Sequence, residues 1–135
     1  MENPRGSLSA AQYEIMEAVW QYGARGASVA EIWDAIAQGR KVTRTTVLNL
    51  VSRLERRGWL VRREEEKPAR YRAALDRERT GALLADSFVN DFFGGSARQL
   101  VMSLLGSKRL KPGDIERLRC DLQSASKKRD TKREE

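Results

Sequence analysis

Between Ser9 and Leu75 the sequence marks three short helices and then two strand-like runs, each with its own start and stop signal, and few folds accept that order at that spacing. Ser9 followed by Gln12 is a capping box, in which the serine side chain accepts a helical N–H and the glutamine reaches back to the serine N–H. Ile15, Met16, Val19 and Trp20 then recur at helical spacing until Gly23. Ser28 with Glu31 repeats the device and opens a helix carrying Val29, Ile32, Trp33 and Ile36, which stops at Gly39. Thr43 reads as the N-cap of a third helix that runs to about Arg57 and ends at Gly58. Trp59 to Glu65 and Arg70 to Leu75 are short strand-like runs, joined by the turn-like Glu66-Lys67-Pro68-Ala69. Helix, helix, helix, hairpin is the order of a winged helix-turn-helix. The expected fold class is therefore mainly α with a small β-wing.

The third helix carries the functional expectation. At about 100° per residue, Val47, Leu50, Val51 and Leu54 fall in one stripe, which must face the core. Opposite lie Thr45, Ser52, Asn49 and Arg56, flanked by Arg53 and Thr46 on one side and Leu48 on the other. A surface helix with no other duty favours Glu and Lys over such a Thr/Asn/Ser face. Short hydrogen-bonding side chains near the start, with arginines further along, suit a helix whose first turns enter the major groove while later basic groups reach phosphate. Asn49 could bond adenine, and Leu48 could touch a thymine methyl.

Charge points the same way. The chain carries +7, and residues 40–72 alone hold eleven basic against four acidic side chains, the same net +7. The sequence pI near 10.0 passes the rough guide for a nucleic-acid-binding domain. The candidate DNA-binding set is Lys41, Thr43, Arg44, Thr45, Thr46, Leu48, Asn49, Arg53 and Arg56, with Lys67 and Arg70 from the wing. Histidine is absent and Cys120 is the single cysteine, which excludes a His base, a Cys–His pair and a His or multi-Cys zinc site. Neither catalysis, cofactor nor metal is expected. One cysteine closes no intrachain disulfide, which fits a reducing cytoplasm. The longest uncharged run, Gln99 to Ser107, falls far short of the roughly 18 residues of a membrane span. No signal-peptide stretch opens the chain, so a cytoplasmic protein without membrane partners is expected.

The second half has stripes of its own. Leu83, Leu84, Phe88, Val89, Phe92 and Phe93 follow one another on a helix beginning near Asp76, broken at Gly94-Gly95. Ser96 caps the next helix, with Leu100, Val101, Leu104 and Leu105, and Pro112 suits the first position of a last one, with Ile115, Leu118 and Leu122. Some fifty residues in three short helices bury such stripes poorly alone, and pairing with a second copy remedies that. The expected division is a DNA-binding domain over residues 1–75, a helical dimerisation domain over 76–125 and a charged flexible tail over 126–135. Phe88, Phe92, Phe93, Leu100, Leu104 and Leu118 are the expected intersubunit core. Cys120 reads as a buried structural thiol.

A family resemblance rests on the same residues. Thr46-Val47, Leu50, Arg53-Leu54 and Arg57-Gly58-Trp59-Leu60, closed by Tyr71-Arg72-Ala73, resemble the recognition helix and wing of the penicillinase and methicillin-resistance repressors (BlaI/MecI type). Glu14, Ile15-Met16 and Val19-Trp20 are similar to their first helix. Phe92-Phe93-Gly94-Gly95-Ser96, then Leu100-Val101, Leu110 and Ile115 to Leu122, resemble their dimerisation region. The likeness spans about Leu8 to Leu122. It implies a homodimeric repressor on a palindromic operator, relieved when a regulatory protease cuts the dimerisation region. The corresponding stretch here is Val101 to Leu105, and it offers Ser103–Leu104 where the resemblance leads one to look for an Asn–Phe bond. The Cys-rich tail of a copper-responsive branch has no counterpart after Ser124. Two alternatives stand beside the repressor: a basic architectural or interaction module that binds DNA without base readout, and a winged-helix regulator released by a small ligand.

Overall fold

The three caps read from the sequence are all formed in the computed structural model, which describes the backbone of residues 3–134 and the side chains of residues 3–127. Helix α1 (Ala10–Gln21) starts where Ser9 Oγ accepts from the Gln12 N–H at 3.1 Å and Gln12 Oε1 accepts from the Ser9 N–H at 2.9 Å. Helix α2 (Val29–Ala37) repeats this with Ser28 and Glu31, at 3.2 and 3.0 Å. Helix α3 (Arg44–Arg56) starts at Thr43, whose Oγ1 accepts from the Thr46 N–H at 3.1 Å. Their apolar stripes meet: Ile15, Met16 and Val19 of α1, Ile32 and Ile36 of α2, and Val47, Val51 and Leu54 of α3 are buried. Leu50 is half-buried at the edge of this core. Each such side chain contributes about 1.5–3 kcal/mol by leaving water, which fixes the rotation of α3 and hence the face it shows to solvent.

The wing closes the core. Strand β2 (Leu60–Arg63) pairs antiparallel with β3 (Arg70–Ala73), and Trp59, Leu60 and Tyr71 are buried against the helices. Both strands are shorter than expected, so the connection covers residues 64–69. A two-residue strand, β1 (Ala27–Ser28), adds to the other side of β3 and gives the order β1-β3-β2. It follows a 3-10 turn (Gly23–Arg25) and a glycine that geometry requires. Gly26 has φ +76°, and a Cβ there would lie 2.6 Å from the Tyr71 carbonyl oxygen.

Helix α4 (Arg77–Phe92) begins after Asp76, whose Oδ1 accepts from the Arg79 N–H at 2.8 Å. The chain forms two compact units, residues 1–87 and 88–135, so the division falls inside α4 and not after Leu75. The first turns of α4 belong to the winged helix: Thr80 is fully buried, and Leu83 and Leu84 pack against its core. Those two leucines, read as part of a dimerisation stripe, are therefore already partnered.

In the second unit, Gly94 (φ +56°) and Gly95 (φ +83°) turn the chain after α4. Ser96 Oγ then accepts from the Gln99 N–H at 3.2 Å to cap α5 (Ala97–Gly106). Helix α6 (Pro112–Glu134) opens with Asp114 Oδ2 accepting from the Lys111 N–H at 3.1 Å. The helix runs on through Ser126, where the charged tail was expected to begin, to Glu134, and one expectation is corrected: Cys120 is exposed rather than buried. The residues one turn away on α6, Glu116, Arg117, Gln123 and Ser124, are charged or polar and give the thiol no apolar cover.

Candidate nucleic-acid interface

Because Val47, Val51 and Leu54 are turned wholly inward, α3 presents Thr45, Thr46, Leu48, Asn49, Arg53 and Arg56 to solvent. Ser52, on the same arc, is half-buried. The helix entry is ordered by side chains. The Thr43 hydroxyl donates to Thr46 Oγ1 at 2.9 Å, leaving the Thr46 hydroxyl hydrogen to be donated outward. Trp33 Nε1 donates to the Val42 carbonyl at 2.8 Å, and the Arg44 guanidinium lies 4.8 Å from the centre of that indole. A cation over an aromatic face loses freedom but keeps its charge, so Arg44 is held beside the first turn. Lys41 is exposed just before it. Nine of the sequence-derived DNA contacts thus lie on one helix and its approach, all accessible.

The wing is different. Lys67 is exposed in the connection between β2 and β3. Arg70, expected to contact phosphate, is not available for it, being only 8% exposed. Its Nη2 donates to the Gly26 carbonyl at 2.7 Å and lies 2.8 Å from Glu31 Oε1, while Nε reaches the Arg25 carbonyl at 3.3 Å and Glu66 Oε2 at 3.5 Å. The cause is the strand β1 that the sequence did not reveal: Arg70 stands opposite Ser28 in the sheet, beside the N-terminus of α2. The Glu31 carboxyl is held below its ordinary value of 4.5, chiefly by the Ser28 N–H, with Arg70 adding to the effect against the cost of burial.

Two further basic residues of the 40–72 segment are occupied within the protein. Arg57 donates from Nε to the Arg5 carbonyl at 3.0 Å, from Nη1 to Gln12 Oε1 at 3.3 Å and from Nη2 to the Ser7 carbonyl. It thereby straps the N-terminal segment to the end of α3, helped by Trp59 Nε1 on the Arg5 carbonyl at 3.0 Å. Arg40 pairs with Glu14 at 2.6 Å. The other eight basic residues of the segment are exposed, and Arg62, Arg63 and Arg72 of the sheet join the candidates that residue-by-residue reading left out. Their signal was present in the charge count, and they stand open on both faces of the hairpin, Arg62 paired with Tyr71 and Arg63 with Arg70, so strand alternation alone would not have singled them out.

The residues expected at an intersubunit core all lie in the second unit, and three of them are neighbouring rings. Phe88 is 46% exposed and Phe92 73%, and the Phe88 ring centre lies 5.1 Å from that of Phe92 and 5.6 Å from that of Phe93. Leu118 is exposed, and Leu100 and Leu104 are half-buried. Ser103 and Leu104, the expected cleavage pair, sit in the second half of α5, with Ser103 open to solvent. Among the described residues no three His, Cys, Asp or Glu side chains gather to hold a metal ion, and no helix is long and apolar enough to cross a membrane.

Residues 8–124 match the family model described as penicillinase repressor. The chain is 27% identical over 128 residues to the penicillinase repressor of Staphylococcus aureus, covering 95% of this chain and 100% of the relative. It is 25% identical over 119 residues to the methicillin resistance regulatory protein MecI of Mammaliicoccus sciuri, covering 88% and 95%. Among solved structures, that of the S. aureus MepR–DNA complex matches with a TM-score of 0.43 and 18% identity, over 90% of this chain and 78% of the other.

Proposed function

The chain belongs to the penicillinase repressor family and is a DNA-binding transcriptional repressor, not an enzyme, and we propose that it acts as a homodimer seated on a palindromic operator. The observation that carries this reading is the face of α3: Thr45, Thr46, Leu48 and Asn49 stand open on its first turns while Val47, Val51 and Leu54 are buried behind them. Inserted in the major groove, Thr45, Thr46 and Asn49 read base edges, and Leu48 meets a thymine methyl. Lys41, Thr43 and Arg44 at the helix entry, Arg53 and Arg56 further along, and Lys67 of the wing contact phosphate and set the register. Two heads related by a two-fold axis read half-sites separated by whole helical turns, roughly 34–36 Å each.

The second copy binds through Phe88, Phe92, Phe93, Leu100, Leu104 and Leu118. Two phenylalanines left about half to three-quarters exposed are costly to keep in water, and an isologous contact covers both copies at once. Repression is relieved in the cytoplasm by a regulatory protease that cuts between Leu100 and Leu105, Ser103–Leu104 being the candidate bond. Cutting there separates the heads without altering any DNA contact, which forfeits an avidity gain of about 10²–10⁴.

The test is a fragment comprising residues 1–87, the first compact unit. It should be monomeric by sedimentation and bind an operator duplex 10²–10⁴ times more weakly than the full chain. A fragment that dimerises and binds as well as the full chain would overturn the proposal.

A further inference from the structure

Within the first unit, on a side formed by the end of α1, the 3-10 turn, the sheet and the start of α4, lies a cleft of about 520 Å³ that shares only Arg63 and Arg72 with the DNA-binding candidates above. Its apolar floor is the indole of Trp20 with Val19. Three arginines, Arg63 and Arg72 from the two wing strands and Arg77 from α4, stand around it against a single carboxylate, Asp76. Among the described residues no carboxylate pairs with any of these three arginines. Asp76 is turned to the helix, its Oδ1 accepting from the Arg79 N–H at 2.8 Å.

The floor is also rigid. Trp20 Nε1 donates to the Leu75 carbonyl at 3.0 Å, Tyr13 meets the indole edge-on with ring centres 5.7 Å apart, and the Arg77 guanidinium stands 5.4 Å from the ring centre. With its N–H committed and Arg77 beside it, the half-buried indole still offers apolar ring surface to an occupant. Guanidinium groups around it supply forked donors suited to a carboxylate. Apolar walls with a few converging polar groups are the make-up of a small-molecule site, and this cleft lies within the usual volume range of such sites.

We propose that this cleft binds a small aromatic carboxylate, the ring against Trp20 and the carboxylate held between Arg72 and Arg77, with Arg63 adding charge. Neutral aromatics lack the anion, and inorganic phosphate lacks the ring, so neither matches the site. The binding claim stands without the DNA reading. Its regulatory consequence rests on that reading: the Trp20–Leu75 bond ties α1 to the connection between β3 and α4, so an occupant shifts the wing relative to the recognition helix.

The probe is naphthalene-2-carboxylate, titrated into the full-length protein without DNA and followed by ¹⁵N-resolved NMR of the backbone amide and Trp indole N–H signals and by calorimetry. Saturable binding that moves the Trp20 signal, at least tenfold weaker for naphthalene-2-carboxamide, inorganic phosphate and the Arg72→Gln and Arg77→Gln variants, is the expected result. Thermal melts confirm that the variants are folded. The amide comparison on the unaltered protein keeps the test intact if they are not. Absence of saturation, equal binding of the amide, or movement confined to signals of the Phe88–Phe92 patch would overturn the proposal. So would arginine variants that weaken duplex binding while leaving the carboxylate affinity unchanged, since the cleft would then serve DNA phosphate alone.

Discussion

Asn49 is the residue on which the proposed base readout turns. Its amide can donate and accept at once, the pattern an adenine edge presents, and it stands exposed on the second turn of α3. Asn49→Ala should therefore cost on the order of 1–3 kcal/mol on the operator and relax discrimination at one base position, while random duplex is bound as before. Binding curves on matched and single-base-substituted duplexes measure this, and an equal loss on all of them would remove Asn49 from the groove. Two cations of the wing should behave oppositely. Lys67→Ala leaves the fold intact and reduces the salt slope of binding by about one, because one phosphate contact is gone. Arg70→Ala lowers stability by about 2–4 kcal/mol, since Glu31 and the Gly26 carbonyl lose a mostly buried partner, with the salt slope unchanged in the folded fraction. Glu31 sets an acid limit on the same cluster. Its carboxyl titrates lower folded than unfolded, so its contribution is present above the ordinary value of 4.5 and fades as pH falls through the folded value. Glu31→Gln should make acid unfolding shallower over that interval, which urea titrations at a series of pH values would reveal.

At the scale of elements, what local chemistry decides was legible, and what tertiary pairing decides was not. Ser9, Ser28 and Thr43 each cap the helix they were expected to cap, because a cap and its partner lie three residues apart in the chain. The rotation of α3 followed from four apolar positions alone. Strand β1 was not foreseen, since two residues, Ala27 and Ser28, are too few for any alternation to register. That one omission carried another: without β1 and its neighbour Glu31, Arg70 reads as a wing cation rather than the tie between sheet and α2. Leu83 and Leu84 were misassigned for a similar reason, because a stripe on α4 gives no sign of which apolar neighbour claims which turn. Helix α5 raises its own expectation. A protease needs an extended strand of substrate, and α5 is helical through Ser103 and Leu104, so cleavage should follow local opening of that helix. Immunoblots through induction should show a fragment ending between Leu100 and Leu105 as the promoter opens. Full-length chain persisting at an open promoter would contradict relief by proteolysis and direct attention to the Trp20 cleft.

For the whole molecule, the winged-helix unit has its own core while the second unit keeps Phe88, Phe92, Leu118 and Leu122 open, and the proposed division of function follows that burial, one half to read DNA and the other to double the reader. A +7 chain binds any duplex through phosphate, and what distinguishes a repressor from a basic coat is the margin by which it prefers one sequence. The most direct measurement is a selection of duplexes from a randomised pool with the full-length protein, followed by competition between the selected and a shuffled duplex at physiological salt. The account predicts a palindromic motif with half-sites a whole number of helical turns apart, bound about 10³-fold or more tighter than its shuffled counterpart. A pool that enriches no motif, with both duplexes bound alike, would contradict it.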